Sequence, residues 1–257
     1  FDSGIGGLSV VLEMNKILPY ENIEYFADHA RQPYGLRKKE EIEDFVIEII
    51  QYLLLKDIKA CIIGCNTATA AGLRKARQHF KIPIVGVIKA GAQAATEATK
   101  SGKIGLIGTD LTVKSDEHLK EIKKINSEIE VIANPCPEFC PLVESGKIET
   151  EETYAFAREY LNPLKKENID TLILGCTHYP FLSKVIQEVM GYQVVLNNPA
   201  HNTVLEIRDI LEEKKLLNNC NHEGRENYYT TGNPVEVNKI AKLITGNNKY
   251  QFRKVTI

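Results

Sequence analysis

The chain has 257 residues, 43% of them hydrophobic and 26% charged, with a formal net charge of −2. That length predicts one large or two modest domains with real cores. Acids and bases are mixed along the sequence, which excludes the clustered basic surface of a nucleic-acid binder. No apolar run approaches the roughly 20 residues of a membrane span, so no membrane contact is expected. The sequence enters a motif at Phe1 with no signal peptide before it, and a few residues of a first strand are expected to be missing there.

In chain order, "FDSGIGGLSV" (1–10) reads as a polar turn running into a helix, and "NIEYFA" (22–27) as a strand. The stretch 38–56 repeats apolar residues at Ile42, Phe45, Val46, Ile49, Ile50, Leu53 and Leu54, the spacing of one helical face. Strands are then expected at 59–64, 82–88, 103–108, 129–133, 170–175 and 192–197, with a helix over 149–161. After about Ala200 come a helix (Val204 to Leu211), a short β run (227–232), a helix (235–244) and a final "YQFRKVTI". Apolar strands alternating with amphipathic helices imply parallel sheets covered by helices on both faces.

Two turns repeat. "GCNTATA" follows the apolar run 60–63, and "GCTHYPF" follows 171–174. Each is preceded, at a similar distance, by another polar turn: 62 residues separate Ser3 from Cys65, and 67 separate Thr109 from Cys176. The reading is an α/β fold of two pseudo-symmetric parallel-sheet domains with the active site in the cleft between them. The first domain is discontinuous, residues 1–91 plus 201–257, because the tail is too short for a third domain; the second is 92–200. Ligands of open α/β sheets bind at the carboxyl ends of the strands, where both cysteine turns fall.

A cleft with one thiol on each wall suits two-base proton transfer at a carbon, one base removing a proton and the other delivering one to the opposite face. A thiol pKa near 8.5 is readily tuned for either role. His178 lies two residues after Cys176, and Asp2 lies on the turn expected beside Cys65; both residue types assist a thiol. Ser3, Asn66, Thr67, Thr109 and Thr177 stand where helices begin and are candidates to receive a carboxylate.

"FDSGIGGLSV", "PYG" (33–35), "GCNTATA" and "LGCTHYP", in this order and spacing, strongly resemble the glutamate racemase family, over almost the whole chain. The resemblance implies cofactor-independent racemisation of glutamate, which supplies the D-enantiomer for peptidoglycan in the cytoplasm. It assigns Cys65 to deprotonating D-glutamate and Cys176 to L-glutamate. It carries substrate contacts to Asp2, Ser3, Tyr34, Gly35, Asn66, Thr67, Thr177 and His178, with Thr109 and Thr112 beside them. The histidine after Cys-Thr favours glutamate over the aspartate racemases, which tend to carry an acid there. A small-molecule substrate, no cofactor, no metal and a homodimer are implied. Lys89, Ala90 and His118 depart from the pattern.

Plainer readings account for the remaining cysteines and histidines. Cys61, Cys136, Cys140 and Cys220 read as structural or surface thiols, as do His79 and His222 among the histidines. The two C-x3-C pairs lack the matched ligand sets of structural zinc. The glycines after Asp2 miss the spacing of a dinucleotide loop. Three alternatives stay open on the residues: another amino-acid racemase, a non-catalytic amino-acid-binding module, and a metal site made from Cys65, Cys176 and His178.

Overall fold

The computed structural model describes residues 1–257. Its elements begin with α1 (Leu8–Ile17), β1 (Ile23–Ala27), α2 (Lys39–Leu54), β2 (Cys61–Ile63), α3 (Asn66–His79), β3 (Ile84–Gly86) and α4 (Val87–Ala98). Then follow β4 (Lys103–Gly108), α5 (Asp110–Lys114), α6 (Glu117–Ile125), β5 (Glu130–Pro135), α7 (Phe139–Glu144), α8 (Glu151–Lys166), β6 (Thr171–Gly175), α9 (Ser183–Met190) and β7 (Val195–Asn197). The chain ends with α10 (Pro199–Glu213), β8 (Glu226–Thr230), α11 (Pro234–Thr245) and β9 (Phe252–Lys254).

Every strand pairing is parallel. The middle of the chain forms one four-stranded sheet, β5-β4-β6-β7. Strands β1-β8-β9 and β2-β3 form two further sheets, and the backbone of Phe1 and Asp2 joins them. Asp2 N–H donates to Phe26 O at 2.9 Å, Asp28 N–H to Asp2 O at 3.0 Å, and Gly64 N–H to Phe1 O at 2.8 Å. Asp2 is thereby fixed between β1 and β2 at the edge where the Cys65 turn begins.

The packing follows the sequence periodicity. Helix α2 buries Ile42, Val46, Ile49, Ile50 and Leu53, and each such side chain contributes about 1.5–3 kcal/mol on burial. Its partner α3 offers Gly72 at the crossing, where an added Cβ would lie 2.7 Å from a Val46 methyl. The largest apolar cluster, 18 residues from Ile107 to Val194, lies under the four-stranded sheet; a second, of 16, gathers α2, α3 and the strands around them. Helix α4 joins the two halves: Val87 packs with Val204 and Ile207 of α10, while Ala92 and Ala95 pack with Ile122 and Ile173.

Several boundaries differ from the sequence reading, among them β7, which is strand only over Val195–Asn197 of 192–197, and α10, which runs Pro199–Glu213 rather than Val204 to Leu211; two others show the physical reason. The apolar run 82–88 is strand only to Gly86, and helix starts at Val87; an apolar run carries no mark of where one buried element becomes another. Helix α8 runs through Pro163 to Lys166 rather than stopping near 161, with Leu161 and Leu164 buried on either side of the proline. Burial of that pair holds the helix across one missing backbone donor.

His118 on α6 is fully buried, and neither ring nitrogen has a partner. Burial lowers its pKa from 6.5 to about 4. The unfolded chain takes up this proton near pH 6.5 and the folded chain only near pH 4, so acidification through that window favours unfolding. The loss should reach on the order of 3 kcal/mol by pH 4. Denaturant unfolding of His118→Leu between pH 7 and pH 4 should show this share of the acid sensitivity removed; an unchanged pH slope would contradict the assignment.

Candidate active site

The first wall of the cleft grows from the ends of β2 and the Phe1–Asp2 segment. Cys65 is the N-cap of α3, its Sγ accepting from Ala68 N–H at 3.4 Å. That geometry puts the thiol and the following Asn66 and Thr67 at a helix N-terminus, where backbone N–H groups favour anionic groups. Asp2 is fully buried; its Oδ1 accepts from Gly4 N–H at 2.9 Å and its Oδ2 from Thr177 Oγ1 at 2.9 Å. Tyr34 and Gly35 open a short 3-10 turn after the cis peptide Gln32–Pro33, and the Tyr34 hydroxyl donates to Asp28 Oδ2 at 2.5 Å.

The second wall comes from β4 and β6. Thr109 caps α5 through Thr112 N–H at 3.3 Å. The hydroxyls of Thr67, Thr109 and Thr112 form a triangle with sides of 3.0, 3.0 and 3.2 Å, which links α3 to α5 across the domains. Cys176, Thr177 and His178 follow β6 directly. His178 Nδ1 lies 3.7 Å from Cys176 Sγ, and its Nε2 lies 2.8 Å from Glu144 Oε1. The approach of this turn to the first domain needs Gly6: a Cβ there would sit 2.5 Å from His178 Nδ1 and 2.6 Å from Thr177 Oγ1. Gly6 therefore serves domain contact, whereas Gly7 makes room for Asp2 and Tyr25.

Cys65 and Cys176 line one cavity of about 210 Å3, smaller than the roughly 300–1,000 Å3 that holds drug-sized ligands. Ser3, Tyr34, Gly35, Asn66, Thr67, Thr109, Thr177 and His178 line it too, while Asp2 and Thr112 do not, and stand behind them. A larger cavity of about 680 Å3 runs along β1 and β2 and shares no residue with this one. No lysine or arginine lines the cleft. The Asn66 Oδ1 acceptor, buried, has no protein partner, which leaves it free for a ligand donor such as an ammonium group.

Four cleft residues escaped the sequence reading: Gln32, Cys140, Pro141 and Glu144. The reading of Cys140 as a structural or surface thiol is corrected: its Sγ is 3.4 Å from Cys176 Sγ. The Pro-rich segment around Cys140, where no helix was anticipated, forms α7, with Pro141 in its first turn, where a missing N–H costs nothing. Cys140 and Glu144, four residues apart on that helix, share a face. The ligand atoms that come within 4.8 Å of one another are those of Cys140, Cys176 and His178, so Cys140 stands where the sequence alternative placed Cys65. Cys61 and Cys136 are buried away from the cleft, and Cys220 is exposed.

The electrostatics separate the two walls. Burial, then the Asp2 charge, pushes the Cys65 thiol up to about 12, against hydrogen bonds from Ala68 and Ser3. Contact with Cys140, then burial, pushes Cys176 well above its ordinary range, although His178 pulls the other way. Burial would lower the His178 pKa, but the contacts with Cys176 and Glu144 outweigh it and hold the ring well above 6.5. Burial raises Glu144, and His178, His29 and Gln32 together overcome it, so its carboxyl is held below the usual range. Burial raises Asp2 despite the pull of His178, Gly4 and Thr177. Burial thus favours the protonated form of both thiols, while Glu144 favours the charged form of the His178 ring.

The fold and cleft define a two-domain α/β protein with two thiols lining one small pocket that no lysine or arginine enters. The family model described as Asp/Glu/Hydantoin racemase matches residues 9–204. A glutamate racemase of Geobacter metallireducens is 41% identical over 246 residues, 96% of this chain and 91% of that protein. The crystal structure of a glutamate racemase isoform from Bacillus anthracis superposes with a TM-score of 0.95 at 38% identity, over 100% of this chain and 96% of that one. The Francisella tularensis glutamate racemase, crystallised in complex with D-glutamate, gives 0.91 at 33% identity, over 100% and 96% of the two chains. The chain belongs to the Asp/Glu/Hydantoin racemase family.

Glu144→Gln removes the anion that holds His178 protonated. The His178 pKa, followed by NMR titration of its ring protons, should fall, while the fold persists because Gln keeps the shape and an amide oxygen. A His178 titration that did not move would show that Cys176 alone sets the ring's charge.

Proposed function

We propose that this chain interconverts L- and D-glutamate by two-base proton transfer, Cys65 serving the D-enantiomer and Cys176 the L-enantiomer. The observation that carries the reading is a pair of buried cysteines, delivered by different domains to one small cleft. In the L to D direction, the Cys176 thiolate takes the α-proton and the Cys65 thiol donates its own to the opposite face. The resting thiols become competent when substrate binds. Its ammonium group, lying nearer the thiols than its two carboxylates, places a cation beside them, and a nearby cation favours a thiolate.

Neutral donors receive the substrate carboxylates: Ser3, Asn66, Thr67, Thr109 and Thr177, with backbone N–H groups at the α3 and α5 N-termini. Tyr34 and Gly35 close one side, and Thr112 orients Thr67 and Thr109. Asp2 assists Cys65, and His178, held by Glu144, assists Cys176. His178 supports glutamate over aspartate as substrate, as do relatives that bear the name glutamate racemase along nearly their whole length. The reading needs neither metal nor pyridoxal. We place the domain boundaries at 1–91 with 201–257 and at 92–200. We place the protein in the cytoplasm as a homodimer that supplies D-glutamate for peptidoglycan. No helix is long and apolar enough to cross a membrane.

The decisive experiment is incubation of L-glutamate with purified, metal-free, pyridoxal-free protein in deuterated water. Loss of optical rotation with one deuterium gained at Cα is expected; binding without exchange would support a binding module, and exchange only with aspartate would overturn the substrate. Cys65→Ala and Cys176→Ala should each abolish turnover, since one thiol serves one face. Robust racemisation by either variant would sink the two-base mechanism.

The helpers are separable by isotope effects. The two enantiomers have equal free energy, so every variant keeps the same kcat/KM in both directions. Asp2→Asn should slow the Cys65 step and raise the deuterium effect on kcat/KM for Cα-deuterated D-glutamate. His178→Asn should raise it for Cα-deuterated L-glutamate. Each should lose about 10²–10⁴ in kcat/KM. A rise for the same enantiomer in both variants would break the pairing of helpers with thiols.

A further inference from the structure

We propose that Cys140, Cys176 and His178 form a binding site for a thiophilic divalent cation, zinc being the type. Cys140 has no part in the two-base reading, yet its Sγ lies 3.4 Å from Cys176 Sγ, and Cys176 Sγ lies 3.7 Å from His178 Nδ1. All three ligand atoms fall within 4.8 Å of one another. A tetrahedral zinc with bonds of about 2.3 Å to sulfur and about 2.0–2.1 Å to nitrogen separates two sulfurs by about 3.8 Å and sulfur from nitrogen by about 3.6 Å. These two edges lie within about 0.4 Å of the tetrahedral values; the third, between Cys140 Sγ and the His178 ring, is no longer than 4.8 Å, so closing the site asks these two side chains to approach by at most about 1.2 Å.

A second observation is independent of the sulfurs. His178 turns Nδ1 toward the thiols because Nε2 is tied to Glu144 Oε1 at 2.8 Å. A carboxylate on the far ring nitrogen is the outer shell that orients metal-bound histidines. Three protein ligands face a cavity, which leaves the fourth position to water or to a ligand, the form of an open site rather than a sealed structural one. Binding is a proton exchange with no change of oxidation state. Two thiols and the His178 Nδ1 lose their protons to solvent, two zinc–sulfur bonds and one zinc–nitrogen bond form while Nε2–H stays on Glu144, and affinity therefore rises with pH. The cation occupies the Cys176 lone pair and excludes substrate. The site stands on geometry alone; only its inhibitory effect rests on the racemase reading.

The test titrates zinc, and cobalt(II) as its spectroscopic stand-in, into the reduced, metal-free full chain, with binding read by calorimetry and by absorbance. One cation per chain is expected, with a thiolate-to-cobalt charge-transfer band and tetrahedral ligand-field bands. Cys140→Ala should weaken binding at least about 100-fold, and Glu144→Gln by about 10–100-fold, the usual worth of an outer-shell partner. Cys140→Ser, closer in shape, should weaken it similarly should the alanine variant fold poorly. Cys65→Ala and Cys220→Ala should bind as the parent does. No charge-transfer band, or a site that survives loss of Cys140, would overturn the proposal. Loss of binding in Cys65→Ala would also overturn it, by placing the cation between the opposed thiols. None of these readouts needs turnover.

Discussion

Asp2 lies under the cleft with no exposure, and its two carboxylate oxygens reach in different directions, one to Gly4 N–H and the other to the Thr177 hydroxyl. A buried carboxylate is tolerable only where its oxygens are matched by donors. Thr177 is the residue after Cys176, and Asp2 belongs to the segment stitched between β1 and β2, next to Gly64 and Cys65. The position of one cysteine turn relative to the other therefore depends on this contact. Gly6 permits it by carrying no side chain, and the threonine triangle repeats the tie on the opposite side of the cleft.

The cleft's charge economy follows from what is left out. A lysine or arginine would grip a carboxylate more strongly than hydroxyls and amides do, but it would also pull every nearby thiol toward permanent thiolate. The hydroxyls and amides at the helix starts exert no such bias, so the protonation of each thiol answers to its own neighbours. Those neighbours differ. Cys65 has Asp2 behind it and a helix N-terminus in front; Cys176 has an imidazolium and a second thiol. The two walls are alike in strand-and-turn grammar and unlike in electrostatics.

Much of this was legible along the chain. Strand β4 occupies 103–108 as the apolar run indicated, and both Gly-Cys turns sit at strand ends, because turn chemistry and a continuous apolar run are local properties. Ten of the anticipated site residues line one cavity, and the other two, Asp2 and Thr112, support it from behind. Glu144 and Cys140 were not legible. Their segment carries three prolines within seven residues, Pro135, Pro137 and Pro141, which masks a six-residue helix. Their partners lie 34 and 36 residues away in sequence. The one trace was the four-residue spacing of cysteine and acid, weak evidence before a helix is known to be there. Gly86 and Pro163 show the same limit at element boundaries, where burial from distant residues decides.

Strand β1 finds its parallel neighbour in β8, with Ile23 opposite Glu226 and Ala27 opposite Thr230. Some 203 residues separate each pair in sequence, whereas the four-stranded sheet draws all its strands from 103–197. During synthesis the middle of the chain can therefore assemble its sheet while β1 still waits for a partner not yet made. Closing so long a loop is slow, and an unpaired parallel strand is an open template for other chains. The consequence is an order of birth: the Cys176 half matures first, and the Cys65 half, although translated earlier, stays unfinished until the last thirty or so residues emerge.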